Sequence, residues 1–430
     1  MKLSRVLALC TVLASTLCAA QQPKSFYLKS GDNVLTYGDS IAEQRLYSAI
    51  VEAFVATRYP SLNVSFVNSG WGGDTVYGGG GGPIDTRLKR DVFPYHPNVV
   101  TIMRGMNDGA YRPATDENDQ KFSSGYRHIV ESLRANLPGV RITAIKPSPY
   151  DNVTRPHASN GIPDFEYNEV LRGFGMWIGN YAEQEHLDTA DMNTNVVTML
   201  RNAYALDPET AKTIVPDRVH PSFAGHMVMA EELLKAWGAR PVVSAVTIDA
   251  SKPAAKIETA TDAKITELSN HGSLSWTELD DALPLPFKQW EDMWGSGAVV
   301  TLVIKISDLT DALNLQILKV KGLHAGTYSV KIDGDSIGAF NSDEFAAGVN
   351  LALLKTPATE QAMKVYQLVV SQEDIHFDWW RHIEVPLADD GLQQSASAID
   401  SMRALEGGIE NKAHKAAQPA PHHFEVVPVQ

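Results

Sequence analysis

Four short blocks carry the residue types that acyl transfer needs. Gly38-Asp39-Ser40-Ile41 closes an apolar run. A serine hydroxyl is a poor nucleophile without a neighbouring base, and an exposed turn from strand to helix gives it room to meet a carbonyl. The amino end of that helix adds backbone N–H groups nearby. Asn68-Ser69-Gly70-Trp71-Gly72-Gly73-Asp74-Thr75 offers glycine backbone that can approach a substrate, with the N–H of Gly73 turned to a developing oxyanion. Arg104-Gly105-Met106-Asn107-Asp108 offers the Asn107 amide to the same charge. In Pro216-Asp217-Arg218-Val219-His220-Pro221 the spacing lets the Asp217 carboxylate curl back to Nδ1 of His220. That contact sets the tautomer and leaves Nε2 for the serine.

Taken singly, the blocks read as a helix cap, a tight turn, an asparagine closing a turn and a loop ion pair. Their order along the chain is what joins them. From about Phe26 to Trp237, short apolar runs alternate with amphipathic stretches, which predicts βα units around a parallel sheet. Strands are expected at Asn33 to Tyr37, Asn63 to Val67, Asn98 to Met103, Val140 to Ile145 and His186 to Ala190. Ile41, Arg45, Leu46, Ala49, Ile50, Ala53 and Phe54 recur at helical spacing, so a helix with one buried face should follow Ser40. Three blocks thus follow successive strands at the sheet edge where ligand sites gather, and the fourth precedes the last helix of the unit.

The remaining segments read less sharply. Gly78 to Gly82, followed by Pro83, is expected to be a flexible surface loop, since neither a phosphate-loop nor a dinucleotide pattern accompanies it. Pro147 to Asp164 should be a long loop over the site. Past Trp237, Val242 to Ile248 and Val299 to Ile306 look like strands, with a linker around Arg240 to Ala255. Asp333-Gly334 should close a hairpin, and a helix should follow Pro357 with Ala362, Val365, Leu368 and Val369 on one face. The expected organisation is a leader over 1–20, a catalytic unit over 26–238, a mixed α+β accessory domain over 239–390, and a polar, partly disordered tail over 391–430.

The four blocks together resemble the SGNH/GDSL hydrolase family, and the resemblance covers about residues 30 to 238. It implies a flavodoxin-like three-layer α/β/α domain that hydrolyses carboxylic esters through an acyl-enzyme without cofactor or metal. By that likeness Ser40 is the nucleophile, His220 its base and Asp217 the orienting acid. The N–H of Ser40, the N–H of Gly73 and the amide of Asn107 form the oxyanion hole. Trp71 departs from the family pattern, which has a smaller residue there, and is expected to alter the pocket wall.

Composition narrows the setting. Lys2 and Arg5 precede the apolar run Val6 to Leu17 and the small residues Ala19-Ala20, the pattern of a signal peptide, so the protein is expected to be secreted or periplasmic. Cys10 and Cys18 both fall in that leader, so the mature chain has no disulfide, no cysteine nucleophile and no thiolate metal site. The full chain carries 37 basic and 51 acidic residues; losing Lys2 and Arg5 takes the net charge from −14 to −16, which disfavours nucleic acid and anionic membranes as partners. Nothing after the leader reaches the roughly 20 apolar residues of a membrane helix.

Three rival readings are weaker. An α/β-hydrolase elbow needs glycine where Ala42 stands. A metal hydrolase built on Asp39, Asp74, Asp108, His220 and His226 lacks a two-histidine motif. A carbohydrate-binding protein on an inactive scaffold would use Trp290, Trp294, Trp379 and Trp380 as stacking platforms. The expected substrate is a small-molecule or polysaccharide ester, an acetylated carbohydrate ahead of a lipid.

Overall fold

The computed structural model describes residues 25–155, 166–293, 295–388 and 393–429. The expected leader and residues 156–164 of the Pro147 to Asp164 loop therefore lie outside the described residues. No helix among the described residues is long and apolar enough to cross a membrane.

The first half is a parallel five-stranded sheet of β1 (Asn33–Gly38), β2 (Ser65–Asn68), β3 (Val99–Met103), β4 (Arg141–Lys146) and β5 (Asp188–Asp191). The strand order is β2-β1-β3-β4-β5, all pairs parallel, which is the flavodoxin-like winding. Central β3 is buried at every position, as a strand covered on both faces must be, while edge strand β5 reads Asp-Thr-Ala-Asp. After β1 come α1 (Ser40–Glu43) and α2 (Leu46–Arg58); α3 (Ile84–Asp91), α4 (Asp116–Asn136), α5 (Tyr167–Glu185), α6 (Thr194–Leu206) and α7 (Phe223–Ala236) follow. Helices α2 and α7 pack together on one face, and α4 and α5 on the other.

The helix after Ser40 differs from expectation in two ways. It breaks at Arg45, whose backbone is left-handed (φ 60°), and α2 is buried from Tyr47 to Arg58 rather than along one face. The cause lies in the second half of the chain. Helix α8 (Gly297–Ile306) packs on α6 and α7, while α9 (Pro357–Trp379) lies along α2. A helix enclosed on both sides is apolar all round. Leu285, Phe287, Trp290, Val299, Val300, Val303, Val365, Tyr366 and Val369 share one hydrophobic core with β1, β3 and α2. Part of the chain beyond residue 239 thus packs into the core of the first half.

A second core belongs to a β-sandwich. One sheet is antiparallel, ordered β8 (Ala263–Asn270), β9 (Leu274–Asp280), β13 (His422–Pro428), β11 (Thr327–Ile332) and β12 (Asp335–Asn341). The other pairs β6 (Val242–Asp249) with β7 (Lys256–Thr261) and β10 (Leu315–Lys321), and the short strand Val349–Asn350 edges β10. Trp276 and Phe424 stack at its centre, 5.2 Å apart. The hairpin at Asp333-Gly334 and the helix after Pro357 match expectation.

Three other expectations are corrected. The linker expected around Arg240 to Ala255 is half strand: β6 fills Val242–Asp249, as the apolar run Val242 to Ile248 predicts. The β-branched run Val299 to Ile306 is helical, because Val299, Val300, Leu302 and Val303 bury one helical stripe and packing overrides intrinsic strand preference. The described part of the tail, residues 393–429, is ordered: α10 (Gln393–Ala416) pairs with α9, and β13 sits inside its sheet with Phe424 and Val426 buried at alternating positions.

Candidate active site

Strand β1 delivers Ser40 to the sheet edge. Asp39 caps α1, its Oδ1 accepting the Ile41 N–H at 3.0 Å, and Ser40 opens the helix half-buried. Burial pushes the Asp39 carboxyl up to about 6 against the opposing pull of Arg104 and that N–H. The turn before α7 brings the partner groups. Nε2 of His220 lies 2.8 Å from Ser40 Oγ, and Nδ1 lies 2.7 Å from Asp217 Oδ2. Asp217 Oδ1 also accepts the backbone N–H groups of His220 at 2.7 Å and Val219 at 2.9 Å. Arg218 between them takes left-handed backbone (φ 73°), a conformation that bends the chain so that the two side chains meet. Its carbonyl accepts the Asp151 N–H at 2.9 Å, so the first part of the Pro147 loop braces this turn.

The other two blocks converge on Asp74. Gly73, just before it, has φ 76°, and open space surrounds the position where a Cβ would stand; its requirement is conformational rather than steric. The Asp74 carbonyl accepts from Asn107 Nδ2 at 3.0 Å. An amide nitrogen carries two N–H groups, so one stays available for a substrate oxygen beside the N–H of Gly73. Tyr111 donates a long hydrogen bond, 3.4 Å, to Asn107 Oδ1, which fits this amide orientation. All five residues singled out in the sequence, Ser40, Gly73, Asn107, Asp217 and His220, therefore gather at the carboxyl edge of the sheet.

Beneath this edge is a buried ionic cluster that sequence reading missed. Asp74 Oδ2 accepts from Arg87 Nε at 2.9 Å and Arg104 Nη2 at 3.2 Å, all three side chains having no exposed surface. Arg87 also pairs with Asp91 and donates to the Ser69 carbonyl at 2.8 Å. Charges this deep survive only when paired and hydrogen-bonded. Arg104 opens the third of the four sequence blocks, yet its role needs Asp74 and Tyr37 beside it, the latter ring 4.3 Å away.

Trp71 does not act as a pocket wall: it is buried among Arg87, Arg90, Trp380 and Arg381. The glycine run is also corrected. Gly78, Gly79, Gly82 and Pro83 pair as a miniature hairpin, and a Cβ on Gly81 would stand 2.6 Å from Arg87 and 2.7 Å from Trp71. Glycine there permits close packing on the cluster rather than looseness.

The residues of the metal reading are dispersed in other tasks. Asp39 caps α1, Asp74 holds arginines, Asp108 accepts the Val76 N–H at 2.9 Å, and His226 meets Gln44 at 2.9 Å. Among the described residues no group of three or more potential ligands is placed to hold a metal. Trp290, Trp379 and Trp380 are buried and cannot stack on a sugar from solvent, and Trp294 lies outside the described residues.

A hydroxyl on an imidazole, an imidazole on a carboxylate, and N–H donors alongside are an arrangement able to attack a carbonyl and hold the resulting oxyanion. Comparison with known proteins points the same way. An acetylxylan esterase of Geobacillus stearothermophilus is 26% identical over 230 residues, covering 49% of this chain and 95% of its own length. A solved structure described as a gut microbial diltiazem-metabolizing enzyme is 24% identical, with a TM-score of 0.80 over 94% of this chain and 98% of its own. That likeness covers both halves of the fold. Residues 36–228 match the model of the GDSL-like Lipase/Acylhydrolase family.

Proposed function

We propose that the protein is an exported serine esterase that removes small acyl groups, acetyl foremost, from carbohydrate esters. The observation that carries the reading is the continuous chain from Ser40 Oγ to His220 Nε2 at 2.8 Å and from His220 Nδ1 to Asp217 at 2.7 Å. In this mechanism Ser40 Oγ bonds to the ester carbonyl carbon while its proton passes to His220 Nε2. The carbonyl oxygen becomes an oxyanion held by the N–H groups of Ser40 and Gly73 and by the Asn107 amide. Collapse breaks the bond to the alcohol oxygen, which takes the proton from His220. Water then repeats the sequence on the acyl-enzyme, releasing the acid and restoring Ser40.

The acetylxylan esterase similarity supports acetylated polysaccharide as the substrate class. The leader pattern of residues 1–20 supports export. The test is Ser40→Ala on p-nitrophenyl acetate, where the loss of a comparable triad serine is on the order of a million-fold; near wild-type turnover would end the proposal. A panel of acetylated xylan, acetylated pectin, aryl acetates and long-chain esters then ranks the alcohol and acyl group. A preference for long chains would replace the carbohydrate reading with a lipase-like one.

A further inference from the structure

The second half of the chain reaches the site through two adjacent residues, Trp380 and Arg381, at the wide turn that ends α9. Trp380 is fully buried and donates from Nε1 to Asp91 Oδ1 at 2.9 Å. Asp91 pairs with Arg87, and Arg87 in turn holds Asp74 Oδ2 at 2.9 Å and the Ser69 carbonyl at 2.8 Å. Ser69 and Asp74 are the two ends of the segment that carries Gly73. Arg381 lies over the ring of Trp71, within the same segment, its guanidinium carbon 3.0 Å from the centroid. Its Nη2 is 3.5 Å from Glu43 Oε1, on the helix that Ser40 opens. A Cβ on Gly72 would stand 2.8 Å from the same Glu43 carboxylate and 3.8 Å from Ser40 Cβ, so Arg381, Glu43, Gly72 and Ser40 are close neighbours.

We propose that Trp380 and Arg381 are positioning residues for the oxyanion hole, acting through Asp91–Arg87–Asp74 and through Trp71. The proposal rests on the reading of Ser40 as nucleophile and of Gly73 and Asn107 as donors. Asp74 links those donors, since it follows Gly73 and its carbonyl holds Asn107. Arg90 also holds Asp91, through Nε at 2.7 Å and Nη2 at 2.8 Å, so losing the Trp380 N–H leaves the ion pairs in place but weakens the buried network that fixes them. Displacing preorganised donors by even about 1 Å costs up to about 100-fold in rate. The loss should fall on kcat, because the donors act on charge that develops only in the transition state.

The test uses the full-length protein. Trp380→Phe keeps most of the ring but removes the N–H, Arg381→Met removes the cation over Trp71, and Arg381→Lys is its conservative partner. Active sites are first titrated with a fluorophosphonate. Wild-type label at a residue other than Ser40 would overturn the reading of the site and this proposal with it. With Ser40 labelled, Trp380→Phe and Arg381→Met should each lower kcat per labelled site by about 5- to 50-fold. KM should stay within about twofold, and Arg381→Lys should recover part of the loss. Adding Trp380→Phe to Asp74→Asn should cost little more than Asp74→Asn alone, because the two act along one chain. Wild-type kcat per labelled site with only a lowered melting temperature, or fully additive losses, would show a merely structural role. If Trp380→Phe does not fold, Arg381→Met carries the same decision, its side chain being 21% exposed.

Discussion

Asp217 holds His220 through both carboxylate oxygens: Oδ2 meets the ring Nδ1 at 2.7 Å and Oδ1 accepts the backbone N–H at 2.7 Å. One side chain thus orients both the imidazole and the turn that carries it. Burial works to raise the carboxyl, but the N–H groups of His220 and Val219 and the His220 ring outweigh it and hold it below the ordinary range. It is nevertheless 53% exposed, so water shares its charge.

Asp217→Asn tests that double grip. The amide keeps an acceptor for the backbone but presents either a weaker acceptor or a donor to Nδ1, so the tautomer that leaves Nε2 free is no longer enforced. In a buried triad this change costs about 10,000-fold in kcat. The exposure of Asp217 softens the effect here, to about 100-fold or more on p-nitrophenyl acetate. A loss smaller than about threefold would show that another group orients His220.

Asn107→Ala removes the donor held on the Asp74 carbonyl at 3.0 Å. It should lower kcat by about 100- to 1,000-fold with little change in KM, as for other oxyanion donors. The discriminating control is Asn107→Asp, which keeps the shape, loses the N–H groups and sets a negative charge where the oxyanion forms. A rise in KM with kcat preserved in both variants would place Asn107 in substrate binding instead.

The strands of the parallel sheet and the convergence of the five candidate residues were legible in the sequence because their signals are local. Apolar runs mark β1, β3 and β4, and the Asp217–His220 contact spans only three positions. What joins the two halves is not local. Trp380 meets Asp91 across 289 positions, and neither residue carries a periodicity that reveals the other. The same holds for α2: its spacing marks one buried face, and the sequence does not show that α9 covers the other. The run Val299 to Ile306 misled because β-branched residues favour strands until a helical stripe finds a core to fill. The tail misled through its polar helix α10, which screens from view the alternation of Phe424 and Val426.

The contact between α2 and α9 carries a pH dependence. Glu373 of α9 lies buried beside Glu52 of α2, and burial raises its carboxyl to about 8, opposed by the Ser48 hydroxyl and Arg45. In the unfolded chain the group titrates near the usual 4.5. The folded state therefore keeps a proton that the unfolded state releases. The stability tied to it is complete below about 4.5 and declines until the pH passes about 8. Glu373→Gln mimics the protonated acid at every pH. It should match wild type at acid pH and exceed it above the Glu373 titration, by on the order of 2 kcal/mol. Urea melts of both proteins across this range decide the matter, and parallel curves would mean that Glu373 is ionised in the fold or equally protonated in both states.

Cutting the chain at residue 238 would leave the family-matched segment intact and yet should not yield a folded enzyme. Leu285, Phe287, Trp290, Val299, Val300, Val365, Tyr366 and Val369 would be lost from the core they share with β1, β3 and α2. Helix α2, buried from Tyr47 to Arg58, would turn its α9-facing side to water, and Arg58 would lose the carbonyls of Arg240 and Leu313 that its guanidinium reaches at 2.8 Å. Apolar patches beyond a few hundred Å² drive association, so the truncated chain should be insoluble or bind a hydrophobic dye without a cooperative melt. In the full chain, Trp290→Ala removes a wholly buried indole from the same contact and should cost about 3–5 kcal/mol in urea. A truncated protein that stays monomeric, melts cooperatively and keeps wild-type kcat would mean that the second half is an appendage after all.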